Sequence, residues 1–219
     1  MSAQPLSSQP PATQPPATQP RARRTQADRS AATREALVGA ARRLFAAHGF
    51  AEVSTDLIAA EAGVTRGALY HQFADKVALF EAVLDAVEGD IAARLAGEAA
   101  AAGVSDPIAG LRQAMRVWLD ICAEPETRRV ALIDGPSVVG WARWREVCQR
   151  HVFGLVEAVL GQGMEMGRIR RQPVRPLAHV LMGASDEAAL YVAEAADQER
   201  ARAEMTGVLN QLIDALAAA

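Results

Sequence analysis

The sequence predicts an all-α protein of about nine helices, with a three-helix head near the N-terminus and a larger helical body behind it. Three observations carry this. Half of the 219 residues are apolar while aromatics are only 5%, so the apolar content is mostly Ala, Leu and Val, which favours helix over sheet. From about Ser30 onward apolar residues recur every three to four positions, the period of one helix face. No stretch alternates as a strand would.

Before the helices comes a biased segment. Residues 9–20 read QPPATQPPATQP; proline at this density precludes helix and sheet, so residues 1–24 are expected to be a disordered, polyproline-like arm. It turns abruptly basic at RARRTQADRS. Between 21 and 50, Arg21, Arg23, Arg24, Arg29, Arg34, Arg42 and Arg43 face only Asp28 and Glu35, in a chain whose net charge is −3. Two readings stand: a solvated tail, or a basic arm, with Arg23 and Arg24 as its candidates, lying along nucleic acid.

The first helix carries Leu37, Ala41, Leu44, Phe45 and His48 on one face and closes at Gly49. Ser54 and Thr55 offer a cap to a second, two-turn helix that ends at Gly63. Thr65 caps a third, ending near Phe73. Asp75 caps a fourth of about 20 residues, with Leu79, Val83, Val87, Ile91 and Leu95 repeating every four and Phe80 and Leu84 widening the stripe. Residues 25–76 thus form the head and 77–219 the body.

In the body, Asp106-Pro107 starts a helix with the stripe Ile108, Leu111, Met115, Trp118 and Cys122. Pro125 opens a short segment expected to stop at DGP, 134–136. Trp141, Trp144, Val147, His151 and Leu155 form the next stripe. Leu177, Val180, Leu181, Ala184, Ala188 and Tyr191 follow, and the last helix carries Val208, Leu209, Leu212, Ile213 and Leu216.

Two short helices joined by a tight glycine-containing turn are a helix-turn-helix, whose second helix enters the major groove. That explains the odd composition of AGVTRGALYHQF, 62–73. Thr65 can cap the helix and bond a phosphate, and Arg66 can donate two bonds to a guanine edge. Gly67 lets the backbone lie close to the sugar-phosphate wall, and Ala68 can touch a thymine methyl. Tyr70, His71 and Gln72 offer polar tips toward DNA, while Leu69 and Phe73 point into the head. Lys76, the one lysine, starts the next helix and can hold a phosphate.

These residues bring a family into view. REALVGAARRLF, then HGF, then VSTDLIAAEAGVTRGALYHQFADK closely resemble the DNA-binding head of TetR-family transcriptional regulators, over about residues 30–80. The resemblance implies that Thr55, Thr65, Arg66, Ala68, Tyr70, His71 and Lys76 lie near DNA. DGPSVVGWARWREV, 134–147, is similar to a stretch found in one subset of these regulators. The resemblance also implies a homodimer whose last two helices pair with their copies, on a palindromic operator. The small face of Gly183, Ala184 and Ala188, with Tyr191, Leu209, Leu212, Ile213 and Leu216, is the expected seam.

For the body, the expectation is a small-molecule sensor, its ligand apolar or aromatic, acting on the heads through the long fourth helix. The expected lining is Met115, Trp118, Leu119, Cys122, Trp141, Trp144, Cys148, His151, His179 and Met182. An enzyme is disfavoured. Cys148 and His151 lie three apart on one helix with no third group to orient them, and no metal-ligand spacing occurs. No cofactor is implied. The alternative to a regulator is a helical adaptor that kept the helix-turn-helix shape. The N-terminus lacks the pattern of a secretion signal and no apolar run reaches ~18 residues. A cytoplasmic protein with reduced Cys122 and Cys148 is expected, its habit of repression implied by the resemblance alone.

Overall fold

The computed structural model describes residues 25–103 and 105–218. The proline-rich segment and the candidate arginines Arg23 and Arg24 lie outside the described residues. The described chain is all-α, with nine helices once contiguous segments are joined, and no strand; one isolated bridge pairs Ile169 with Ala217.

The head consists of α1 (Gln26–Glu52), α2 (Thr55–Glu61) and α3 (Arg66–Gln72). Thr25 and Asp28 form a capping box that fixes where α1 begins. The helix breaks at Gly49 (φ 79°, ψ 165°), where it was expected to close, and a short helical run beyond the break continues to Glu52. A Cβ on Gly49 would strike the guanidinium of Arg129; a bare backbone is required where the body presses on the head. Ser54, not Thr55, caps α2, and Thr65 caps α3 as expected. Between them the chain turns through Gly63 (φ 67°), a left-handed conformation that costs other residues 1–2 kcal/mol, roughly. Leu37, Ala41, Phe45, Ile58, Leu69 and Phe73 fill the centre; His48, placed on this face by spacing, is exposed.

The body opens with α4 (Lys76–Ala102), 27 residues long rather than 20, capped by Asp75. Phe80 of α4 meets the rings of Phe45 and Phe50 at 5.4 and 5.3 Å, which makes head and body one continuous core. Next is α5 (Pro107–Ala123), capped by Asp106. Then α6 joins Pro125–Thr127, a π-helical turn Arg128–Asp134 and Gly135–Val139; it runs straight through the DGP expected to stop it and breaks at Gly140. Pro136 lies just past the π-helical turn Arg128–Asp134, in the first residues of the α-helical segment Gly135–Val139.

Helix α7 joins Trp141–Cys148, a π-helical turn Gln149–Phe153 and Gly154–Glu165. The chain ends with α8 (Val174–Glu194) and α9 (Gln198–Asp214). The π turn in α7 has a visible consequence. A wider turn advances the inward face by an extra residue, so Trp144, Cys148, Val152 and Val156, spaced by four, line one wall. The stripe expected from a straight helix fails at both ends: Trp141 is 57% exposed and Leu155 is 38% exposed.

Candidate nucleic-acid interface and ligand cavity

The outer face of α3 is built by a simple division of labour. Leu69 is fully buried and anchors the helix to the head. Thr65, Arg66, Gly67, Tyr70 and His71 face solvent, and Ala68 is half-buried at the edge. Arg66 donates from Nη1 to Asp56 Oδ2 at 3.3 Å and lies 5.5 Å from the Tyr70 ring centre. Thr55 Oγ1 and Tyr70 Oη share a hydrogen bond of 3.3 Å, which with Arg66 holds the phenol below its ordinary pKa. Lys76 is half-buried, its ammonium 4.1 Å over the Phe50 ring, and desolvation there lowers its pKa. Thr65, Arg66, Gly67, Tyr70 and His71 are thus exposed together on α3, while Ala68 and Lys76 are half-buried.

Two sequence expectations are corrected here. Gln72 does not face outward: its Nε2 donates to Ser30 Oγ at 2.8 Å and ties α3 back to α1. The arginine excess of residues 21–50 is also partly internal. Arg42 pairs with Asp90 of α4 and Glu126 of α6, and Arg43 with Glu61 of α2. Those charges hold helices together instead of projecting a field.

In the body, a cavity of about 70 Å³ lies among α4, α5, α6, α7 and α8. Met115 and Trp118 come from α5, Trp144 and Cys148 from α7, and Met182 from α8, five of the ten residues expected. The other five lie elsewhere. Leu119 and Cys122 line a separate, open hollow of about 230 Å³ beside Arg128 and Arg202. Trp141 stacks 4.9 Å from Trp144 on the outside. The π turn carries His151 away, to bond Asp85 Oδ1 at 3.0 Å. His179 bonds Gln149 at 3.3 Å and packs on Phe153.

Sequence reasoning missed the two acids of the cavity wall, Glu88 of α4 and Asp186 of α8. A signal existed for Glu88: it follows Phe80 and Leu84 at intervals of four, a charge in an apolar stripe. Glu88 is 2% exposed, and burial pushes its carboxyl up to about 7. Its one hydrogen bond comes from the Cys148 thiol, 3.3 Å from Oε1, which pulls the other way. Burial raises Asp186 to about 6 against the pull of Arg145. Burial, with the negative field of Glu88, raises the Cys148 thiol well above its usual range, so it stays a donor. Both cysteines are free and buried.

The donors on this wall are already used. The indole N–H of Trp118 donates to Ser185 O at 3.0 Å and that of Trp144 to Ala131 O at 2.7 Å. The Ser185 hydroxyl donates to Leu181 O at 2.7 Å. The tryptophans offer the cavity ring surface only.

The expected seam residues divide in two. Ala188, Leu209 and Ile213 are buried within the chain's own core and are not available to a second copy. Tyr191 and Leu212 are exposed, and Gly183, Ala184 and Leu216 are half-buried. Val180 and Val208, not expected there, are 66% and 51% exposed. Both α8 and α9 thus leave large apolar side chains exposed.

Residues 37–83 match the family of bacterial regulatory proteins of the tetR type, and residues 108–216 match the tetracyclin repressor-like C-terminal domain. A TetR-family transcriptional regulator from Pectobacterium atrosepticum is 31% identical, with a TM-score of 0.78, over 89% of this chain and 98% of that one. The HTH-type transcriptional regulator AcrR of Shigella flexneri is 35% identical over 96 residues, 44% of either chain. The regulator FadR of Bacillus subtilis, in complex with stearoyl-CoA, shares the fold at 17% identity, with a TM-score of 0.65 over 82% of this chain and 96% of that one. The chain belongs to the TetR family of transcriptional regulators. It is a DNA-binding transcriptional regulator with a helix-turn-helix head.

Proposed function

We propose that the protein is a homodimeric repressor whose two heads bind an inverted repeat and release it when a small molecule enters the body. The observation that carries the DNA half is the exposed row Thr65, Arg66, Gly67, Tyr70 and His71 over a buried Leu69. Polar side chains on an outer face are ordinary for any surface helix; what favours DNA is that Arg66, Tyr70 and His71, beside the side-chain-free Gly67, stand on the second helix of a helix-turn-helix. Lys76 and the arm with Arg23 and Arg24 add phosphate contacts that hold the register. Repression rests on the habit of the family, by occlusion of a promoter.

The dimer reading rests on Val180, Tyr191, Val208 and Leu212, large apolar side chains left in water on two adjacent helices. A pair of such faces would meet as a four-helix bundle. The ligand reading rests on the cavity, and FadR with stearoyl-CoA supports a body of this shape as a ligand holder. Two connections reach the head. Glu88 and Leu95 sit on α4, whose first residue is Lys76. Leu132 sits on the π turn of α6, two positions before Asp134, whose Oδ2 accepts from the Phe50 N–H at 2.8 Å. A ligand that changes DNA affinity 100-fold must favour one arrangement by ~2.7 kcal/mol.

The test is binding of the full chain to duplex DNA at rising salt. Six to ten phosphate contacts would cost roughly 10³–10⁵ in affinity between 50 and 200 mM salt. Deletion of 1–24 is expected to weaken all sequences alike. A salt-independent interaction, or none, would favour the adaptor.

A further inference from the structure

We propose that the body cavity takes a small lipophilic amine in its protonated form, seated with its ammonium on Glu88 and Asp186 and its hydrocarbon against Trp118 and Trp144. This deepens the reading of the body as a ligand site and rests on it.

The donors and acceptors of the cavity wall set the charge of what it can hold. Each N–H or O–H donor of Trp118, Trp144 and Ser185 is satisfied by a backbone carbonyl. What remains is two carboxyls, neither in an ion pair among the described residues: the second oxygen of Glu88, an O–H donor while protonated and an acceptor once ionised, and the carboxyl of Asp186. A buried carboxyl without a cation is costly, several kcal/mol by effective estimates if it must ionise. A ligand that brings donors and positive charge removes that cost; above pH 7 a carboxylate or phosphate ligand meets two like charges, offset only in part by Arg145 near Asp186. The ring faces of Trp118 and Trp144 favour a cation as well. Room for a few heavy atoms is present, and the unbranched Met115 and Met182 can turn aside for more.

Binding by this route is linked to protons. In the empty cavity burial holds Glu88 protonated up to about pH 7, with Asp85 on its own helix, Cys148 and His151 on α7, and Asp186 on α8 as its charged or titratable surroundings. An ammonium that displaces the proton binds more tightly as pH rises toward 7 and levels off above it. A neutral ligand shows no such rise.

The full chain is titrated with n-butylamine and benzylamine, with butan-1-ol and benzyl alcohol, and with butyrate and benzoate. Calorimetry and thermal shift are the readouts, between pH 5.5 and 8.5. The amines are expected to bind at least tenfold more tightly than the alcohols at pH 8, and severalfold less tightly at pH 6. The carboxylates are expected not to bind. Glu88→Gln and Asp186→Asn, equal in size to the native residues, should each remove most of the amine preference, and Glu88→Gln should flatten its pH profile. Should alcohols or carboxylates bind as well as amines, with Trp118→Ala abolishing it, the ligand site stands and the cation assignment is overturned. Retained amine preference in both carboxamide variants overturns it too. If no probe of any charge binds, the ligand reading of this cavity falls, and the cation assignment with it.

Discussion

Helix α3 and the body cavity treat polar side chains in opposite ways. On α3 the polar groups are mostly donors and stand outside: Arg66 and His71 are exposed, and Tyr70 is 44% exposed. In the cavity they are acceptors and stand inside, with Glu88 2% exposed and held by a single thiol. An exposed donor is solvated at little cost until a partner arrives. A buried acceptor is a standing cost that the rest of the fold must support. The first arrangement suits a surface that must come on and off a polyanion; the second suits a site that changes the protein when it fills.

Four substitutions sharpen or break this contrast. Leu69→Ala removes the buried anchor of α3 and should cost ~2–5 kcal/mol of head stability, read by chemical denaturation. Binding to every DNA sequence should fall together. A loss confined to some sequences would mean that Leu69 reads DNA itself.

Glu88→Gln comes next. A carboxyl raised from 4.5 to about 7 in the folded chain contributes stability below its unfolded pKa, and this is lost as pH rises through about 7. The variant should therefore gain on the native protein by up to roughly 3 kcal/mol between pH 5 and pH 8. Parallel denaturation curves at both pH values would show that Glu88 is not the buried acid described.

Arg66→Ala should lose about 1–3 kcal/mol of discrimination at one base position in each half-site. Its exposed pair with Asp56 is worth little to the fold, so thermal stability should hardly change. Equal weakening on all sequences would assign Arg66 to the phosphates instead.

Gly67→Ala is the smallest change and the most discriminating. A Cβ there meets only Thr65 Oγ1, at 3.8 Å, so the free protein should be stabilised by ~1 kcal/mol. DNA affinity should nevertheless fall, because the methyl stands between the helix and the sugar-phosphate wall. Unchanged affinity would leave Gly67 without a role at the interface.

The head was almost wholly legible. Caps at Thr65 and Asp75, the turn at Gly63 and the buried Leu69 are decided within a few residues of chain, so local spacing suffices. Gln72 was misplaced because its partner, Ser30, is distant in sequence. The body was legible in its helices but only half so in its cavity. Straight-helix spacing pointed His151 and Leu155 inward, and a π turn at Gln149–Phe153 replaced them with Val152 and Val156. Asp186 is brought to Glu88's side only by the packing of α8, which no local pattern encodes. On α8 and α9, burial separated Leu209 and Ile213 from Tyr191 and Leu212, a distinction finer than apolar periodicity carries.

Selection of bound sequences from a random duplex pool, run on the native chain and on Arg66→Ala, goes most directly to the claim that α3 reads bases from paired heads. The account predicts an inverted repeat for the native chain and, for Arg66→Ala, the same repeat with preference lost at one position in each half. Enrichment of no repeat, or an identical preference in both proteins, would contradict it.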